Sequence, residues 1–320
     1  MKFIWIMYEN LIKIPFYKLL VNYLQNGLNL LDEQGLDEIF QFLISQQNPD
    51  GGFQDRGGKS DLYYSLFGAL MLMSVEKITG DRRPETEDEP RRRVDPMWSS
   101  FPTIPDSHSA SESILKLKQY ISQQSNSDVP GFIERCCLVL LQKELKTKRT
   151  SRIKSIFSLG KSFWEERSSI NLSYRSFVLF LTLDAVLPFR AVLKIGAKRM
   201  FSKSTIDLNS PSSEVAAKVF LQKMMNQVGS EEQELLKTFI CKSGGFKAFA
   251  HLDQADMLST AVALFALDFT GCDLRLLKPA CLDFIGQNFS EGAFLSGDGD
   301  TTADVEYTFY GLLALGVLAR

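Results

Sequence analysis

The stretch GAFLSGDGDTTADVEYTFYGLLAL at positions 292–315 contains the pattern that decides the fold. In it, a glycine-aromatic turn that ends at Phe294 is followed, ten residues later, by Asp304 and then by an apolar run. The same order recurs at 244–267, GGFKAFAHLDQADMLSTAVALFAL, and at 51–70, GGFQDRGGKSDLYYSLFGAL, where Phe and Asp are ten and eight residues apart. Three copies of one order of residue types indicate a structural unit that the chain repeats.

Each unit predicts an outer amphipathic helix, a glycine turn and an inner helix. Glycine permits a tight turn with close backbone approach, the Phe anchors this turn in the core, and the Asp can cap the first N–H groups of the next helix. The apolar run after the Asp has no polar face, so the inner helix must be buried on every side. The preceding amphipathic helices are predicted at Asp37–Gln47, Gln233–Lys242 and Lys278–Asn288.

The spacing of the units predicts a closed ring. Phe246 and Phe294 are 48 residues apart, and Phe53 and Phe246 are 193 apart, close to four such periods. This leaves room for about three degraded units between them, and six units would give an all-α fold, an α/α toroid of two concentric helix rings in a single domain over 1–320. Candidate helices in the middle are Ala110–Gln124, Phe132–Leu145, Leu172–Leu187 and Ser213–Asn226.

Composition excludes several classes of protein. The 320 residues carry 36 Lys and Arg against 38 Asp and Glu, so overall charge does not favour nucleic-acid binding. Two histidines cannot form a three-histidine metal site. Five cysteines are too few for a disulfide scaffold, and this low number indicates a reducing, cytoplasmic setting. No transmembrane helix is expected. The apolar N-terminus at 3–8 predicts a first helix that packs on the body or leans on a membrane surface, and Gly80 to Pro96 predicts a charged, flexible loop.

The repeat resembles the one shared by protein prenyltransferase β subunits and squalene/terpene cyclases. Gln46 and Gln287 each stand seven residues before the turn aromatics Phe53 and Phe294, which is similar to the glutamine–tryptophan repeat of the cyclases with Phe in place of Trp. The resemblance implies a toroid around an apolar cavity suited to an isoprenoid chain. Squalene-type cyclases resemble two such domains, so a chain of one domain would need a smaller substrate or a partner subunit.

Acid-initiated cyclisation is the first activity that the resemblance implies. These cyclases carry an Asp-x-Asp-Asp-Thr motif at the start of an inner helix, where a protonated carboxyl protonates an alkene and aromatic faces stabilise the carbocation. Asp304 and Glu306 lie in one similar stretch, DVEYT, and Asp298 and Asp300 lie in another, DGDTTA, and neither stretch is intact. These four are the candidate catalytic acids. The alternative is structural, with Asp304 as a helix cap and Asp298 and Asp300 in turns.

Zinc-dependent prenyl transfer is a second implied activity. In prenyltransferase β subunits the ligands are Asp, Cys and His, and the His follows the repeat Asp by three residues. Tyr64, Ser259 and Tyr307 occupy that position here, so a zinc site is not expected, and Mg²⁺ would be needed only for a diphosphate substrate. A third alternative, from another class, is a non-catalytic toroid that binds a lipid, peptide or protein partner.

Aromatic and basic residues are the candidate substrate contacts. Arg190 and Lys194 lie at the start of one basic run, and a second run spans 143–154. Such a run would hold a diphosphate at the cavity mouth, face solvent as a helix surface or linker, or contact an anionic membrane. Tyr64, Tyr307, Tyr310 and Phe67 are expected to line an apolar pocket. At most half of the aromatic residues on the predicted inner helices are expected to face it: Tyr63, Tyr64, Phe67, Phe265, Tyr307, Phe309 and Tyr310.

Overall fold

The computed structural model describes residues 15–81, 107–124, 129, 131–147, 152–166, 172–187, 206–227 and 229–320. These residues form twelve α-helices and two short β-hairpins. The apolar N-terminal segment at 3–8 and the basic pair Arg190 and Lys194 lie outside them, as does the predicted charged loop apart from its first two residues, which are helical. None of the described helices is long and apolar enough to cross a membrane.

Six of the described helices form an inner ring. Each packs against the next, and the last packs against the first, so the ring closes. The inner helices of the three repeat units, which begin at Leu62, Met257 and Val305, are strongly apolar and buried on most sides, as predicted. Those that begin at Phe132 and Ser212 also carry charged residues. The inner helices are α3 (Leu62–Asp81), α5 (Phe132–Glu144), α7 (Leu172–Val186), α8 (Ser212–Met224), α10 (Met257–Thr270) and α12 (Val305–Leu318).

Outer helices pack against the inner ring. Two concentric layers result, which confirms the prediction of an all-α toroid. The outer helices are α2 (Glu33–Ser45), α4 (Ser107–Gln123), α6 (Arg152–Glu165), α9 (Ser230–Lys237) and α11 (Lys278–Gln287).

The predicted helix bounds differ most from the structure at α9. That helix ends at Lys237 rather than Lys242, because the following residues already turn toward the glycine pair: the Thr238 N–H donates to Leu235, and the Cys241 N–H donates to Gly245. The four helices predicted in the middle of the chain are present, each within three residues of its expected bounds. Helix α6 was not predicted; its first three residues lie in the basic run at 143–154.

One hydrogen-bond pattern is shared by the three glycine turns. The last glycine turn joins strands β3 (Phe289–Ser290) and β4 (Ala293–Phe294), and the first is followed by a hairpin of β1 (Phe53–Gln54) with β2 (Ser60–Asp61). In each turn the Phe N–H donates to the hydroxyl that stands four residues after the repeat Asp, which ties the turn to the inner helix. The pairs are Phe53 with Ser65 (2.9 Å), Phe246 with Thr260 (2.8 Å) and Phe294 with Thr308 (3.3 Å).

Gly292 brings the last turn onto the first outer helix. Its φ is +77°, and a Cβ atom at this position would lie 2.1 Å from the carbonyl oxygen of Glu38 in α2. Gly51 and Gly244 make the same approach to the outer helices α4 and α11. Each turn therefore rests on the outer helix of the next unit, and the contact at Gly292 closes the circle.

Helix α1 (Phe16–Asn29) closes one end of the toroid. It packs against the C-terminal halves of the inner helices. The Phe16 ring stands 5.0 Å from Phe220 and 5.2 Å from Phe269, and its N–H donates to Asp184 over 2.7 Å. Tyr23 donates a hydrogen bond to Asp268 at the end of α10. The other end of the ring, at the N-termini of the inner helices, is therefore where access to the centre must be sought.

Candidate functional site

The centre of the toroid contains a cavity of about 370 Å³. All six inner helices and α1 line this central cavity, and most of its wall is apolar. Two aromatic pairs dominate the wall: Phe67 stacks on Phe309 at 4.4 Å, and Phe220 stacks on Phe265 at 5.4 Å between ring centroids. Such a wall suits an apolar ligand and presents π faces to it.

A second depression of about 480 Å³ lies at the N-terminal ends of α3, α5 and α7. It shares Tyr63, Ile133 and Tyr174 with the central cavity, and we call it the cavity mouth. The Tyr63 hydroxyl lies 3.4 Å from that of Tyr310, and Tyr174 stands beside them. Burial raises the pKa of Tyr63 well above its usual value. Neutral phenols therefore form the boundary between the two spaces.

Glu306 lies beside this boundary, on the first turn of α12. Its Oε1 accepts a 2.8 Å hydrogen bond from the Tyr63 hydroxyl, and its Oε2 accepts a 3.5 Å bond from Tyr64. Burial raises the pKa of Glu306 above its ordinary 4.5, although the bond from Tyr63 opposes this shift. A carboxyl with a raised pKa that is bonded to a residue of the cavity wall can hold and release a proton there.

Asp304 begins the same helix and acts as its cap. Its Oδ1 accepts the N–H of Tyr307 at 2.8 Å, and its Oδ2 accepts Nε of Arg56 at 2.8 Å. The guanidinium of Arg56 also reaches Asp300 at 2.8 Å and lies 5.3 Å from the centre of the Tyr307 ring. Both oxygens of Asp304 are thus engaged away from the central cavity. The equivalent aspartates, Asp61 and Asp256, cap α3 and α10 in the same way.

The remaining two candidate acids occupy the turn that precedes α12. Asp298 accepts bonds from the Ser296 hydroxyl and, at 3.1 Å, from the N–H of Asp300. Asp300 accepts the N–H of Thr302 at 2.9 Å, and hydrogen bonds from the Thr302 side chain and N–H, together with Arg56, lower its pKa. These bonds organise the turn and anchor Arg56 beside it.

The four aromatic residues predicted to contact the substrate lie in three different places. Phe67 and Tyr310 line the central cavity, Tyr64 lines the cavity mouth, and Tyr307 lines neither, since it packs beside Arg56. Our expectation that at most half of the seven inner-helix aromatics face the cavity was wrong. Five of them line it: Tyr63, Phe67, Phe265, Phe309 and Tyr310.

Two lysines of the predicted basic runs lie away from the cavity mouth. Lys143 and Lys146, from the run at 143–154, are exposed at the C-terminal end of α5, away from the cavity mouth. The candidates Arg190 and Lys194 are not among the described residues. Within the described part of the chain, no group of three or more His, Cys, Asp or Glu residues could hold a metal ion.

Arg56 and Tyr174 were missed by sequence reasoning. Arg56 lies in the short loop of the first unit. Closure of the ring places this unit beside the last one, where the four candidate acids lie, so the predicted ring closure could have pointed to Arg56. Tyr174 had no such signal, because its unit lacks the repeat Asp. There Glu214, from the neighbouring helix α8, caps α7 by accepting the N–H groups of Ser173 at 2.6 Å and Tyr174 at 2.9 Å.

Comparison with known proteins supports the fold. No family model and no curated protein sequence matches the chain. Among solved structures, the chain is similar to the type II terpene cyclase MstE from Scytonema, with a TM-score of 0.50 and 12% identity over 92% of this chain and 98% of that one. At this identity the likeness is one of fold. The chain therefore has the terpenoid cyclase-like α/α toroid fold that its repeat predicted.

Proposed function

We propose that the protein binds an isoprenoid in the central cavity and cyclises it by acid-initiated chemistry, with Glu306 as the proton donor. One observation carries this proposal. Glu306 has a raised pKa and is bonded to Tyr63, and Tyr63 itself lines the apolar cavity. A protonated carboxyl beside an apolar, aromatic space is the arrangement that protonation of an alkene requires.

The proton path would run through the boundary between the mouth and the cavity. When Glu306 is protonated it becomes the donor to the Tyr63 oxygen, and the Tyr63 hydroxyl can turn toward the cavity. As the Tyr63 hydroxyl gives its proton to an alkene beside it, the phenol oxygen would take the proton of Glu306, so that Tyr63 stays neutral and Glu306 becomes a carboxylate. The Glu306 side chain is half-buried and bonds to Tyr64, which lines the cavity mouth, so water at the mouth could restore the proton after turnover.

The wall would stabilise the carbocation that follows protonation. The stacked rings of Phe67 and Phe309 lie next to Tyr63, and Phe220 and Phe265 continue the aromatic surface. A cation close to a ring face gains about 0.5–2 kcal/mol per ring at such sites. The cavity volume, about 370 Å³, falls near the lower end of the range for ligand sites, roughly 300–1,000 Å³, which favours a short isoprenoid.

The three aspartates have supporting roles in this proposal. Asp304 fixes the start of α12, and Asp298 and Asp300 hold the preceding turn and Arg56. They would position Glu306 without transferring a proton themselves. Of the four candidate acids, Glu306 is the one that we assign to catalysis.

A non-catalytic toroid is the second candidate function. It is favoured by one observation: Tyr63 stands between Glu306 and the central cavity, and Glu306 is not part of the cavity wall. A carrier would bind an isoprenoid and release it unchanged. Prenyl transfer, Mg²⁺ dependence and a partner subunit remain predictions from the sequence.

Incubation with isoprenoids distinguishes these functions. The purified chain would be mixed with geranyl, farnesyl and geranylgeranyl compounds as hydrocarbons, alcohols and diphosphates, with and without Mg²⁺. Gas chromatography with mass spectrometry would then separate cyclic products from their linear isomers. A cyclic product that Glu306→Gln fails to form supports the cyclase. Bound but unchanged ligand supports the carrier, and absence of binding to any of them would reject both.

A further inference from the structure

The floor of the central cavity contains one polar group that can accept a further hydrogen bond. Glu144, the last residue of α5, lines the cavity at the end closed by α1, and its side chain is 6% exposed. Its Oε1 bonds to the ammonium of Lys18. Its Oε2 is buried and accepts no hydrogen bond of normal geometry from the residues that the structure describes, although the Tyr17 hydroxyl lies close enough to interact with the carboxylate. A buried carboxylate oxygen can accept more than one hydrogen bond, so this oxygen has capacity for a further donor.

We propose that Glu144 forms a subsite for a hydroxyl group at the end of the cavity's occupant. The proposal rests on the proposed function, since it takes the occupant to be an isoprenoid chain. The Glu144 oxygen would accept the hydrogen bond of the hydroxyl, and the apolar chain would extend along the wall toward Tyr63. The ligand's other end would then lie beside Glu306, where protonation is proposed.

The charge around Glu144 selects a neutral donor. Lys18 already neutralises the Glu144 carboxylate, and the other carboxylate near Tyr17, that of Asp184, accepts the N–H of Phe16. A ligand ammonium would therefore meet the charge of Lys18 as well as that of Glu144. Tyr17 also lines the floor, and burial together with a hydrogen-bonding contact to Glu144 keeps its pKa well above the usual value. Its hydroxyl therefore stays protonated and can donate to or accept from a ligand hydroxyl.

The mouth at the opposite end does not provide an equivalent site for an anion. Its wall contains three carboxylates, those of Asp55, Asp61 and Glu134, against the single cation Arg56. Arg56 is already bonded to two further carboxylates, Asp304 and Asp300. Among the described residues, the floor therefore offers a suitable acceptor for the hydroxyl of a neutral alcohol. The mouth offers no comparable set of cations for a diphosphate.

The test compares two ligands that differ by one hydroxyl. Binding of farnesol and of its deoxy hydrocarbon would be measured by equilibrium dialysis with quantification by mass spectrometry, for the wild type, Glu144→Met and Glu144→Gln. Both variants lose the ion pair with Lys18, and only Glu144→Met also loses the acceptor. We expect the ratio of alcohol to hydrocarbon affinity to fall by about tenfold or more in Glu144→Met. Glu144→Gln should keep part of the preference.

Four outcomes would overturn the assignment. A ratio unchanged in Glu144→Met would show that the hydroxyl binds elsewhere, and an equal loss in both variants would point to the ion pair instead. Tighter binding of farnesylamine or of farnesyl diphosphate than of farnesol would show a site for a charged group. In all of these cases the hydrocarbon still binds, so the proposed function survives. Failure of the hydrocarbon and the alcohol alike would reject the proposed function itself.

Discussion

Nε of Arg56 lies 2.8 Å from Oδ2 of Asp304, although the two residues are 248 positions apart in the sequence. This ion pair joins the first repeat unit to the last at the point where the inner ring closes. Arg56 is 42% exposed, so the pair contributes little to the free energy of unfolding by itself. Its main consequence is positional, because it holds the start of the helix that carries Glu306.

Replacement of Asp304 tests its role as a helix cap. Asp304→Ala removes the acceptor for the Tyr307 N–H and should lower the free energy of unfolding by about 0.5–2 kcal/mol. Asp304→Asn keeps a capping oxygen and should cost less. Urea unfolding of both variants provides the measurement. Equal losses would mean that the ion pair with Arg56, rather than the cap, is the larger contribution.

Gly292→Ala tests the closure of the ring. The added Cβ would lie 2.1 Å from the Glu38 carbonyl oxygen, so the turn and α2 must separate. The matched control is Gly58→Ala, whose φ of +80° is similar and whose Cβ would meet no atom within 4 Å. Gly58→Ala should cost about 1–2 kcal/mol for its backbone conformation, and Gly292→Ala about 1–3 kcal/mol more. Similar melting temperatures for the two variants would argue against the close approach.

The raised pKa of Glu306 predicts a pH dependence of stability. Above pH 4.5 the unfolded chain loses this proton while the folded chain still holds it. The contribution of Glu306 to folding is therefore lost as the pH rises from 4.5 through the raised pKa. Glu306→Gln lacks this titrating group. As the pH rises through that window, the free energy of unfolding of the wild type should therefore fall relative to that of the variant. A difference that does not vary with pH would contradict the raised pKa.

Tyr63→Phe separates proton transfer from ligand binding. The ring and most of the cavity wall stay in place, and the hydroxyl between Glu306 and the cavity is lost. We expect turnover to fall by about 10²-fold with little change in isoprenoid affinity. Tyr64→Phe is the control, because its bond to Glu306 is long, at 3.5 Å, and its ring lines only the mouth. Equal activity of the two variants would remove Tyr63 from the proton path.

The three repeat units at the ends of the chain could be predicted because each part of them follows from local chemistry. Glycines with positive φ, a buried Phe and a capping Asp occur in the turns at Phe53, Phe246 and Phe294, as the pattern indicated. The middle units follow the same fold with other residues. Glu214 supplies the cap of α7 from a neighbouring helix, and a contact between helices leaves no spacing pattern in the sequence.

The site could be predicted only in part, for the same reason. Glu306 was among the candidate acids because it is close to Asp304 in sequence, but its partner Tyr63 is 243 residues away. Which of the acids caps the helix and which is buried beside the cavity depends on that long-range contact. Glu144 gave no signal either, since only the arrival of α1 at the cavity floor buries it.

The most direct test of the central claim is the activity of Glu306→Gln on an isoprenoid that the wild-type chain cyclises. Product formation would be followed by gas chromatography with mass spectrometry, with binding of the same isoprenoid measured in parallel to show that the cavity is intact. The account predicts that Glu306→Gln binds the isoprenoid as the wild type does and forms no cyclic product. Cyclic product formed by Glu306→Gln at the wild-type rate would contradict it.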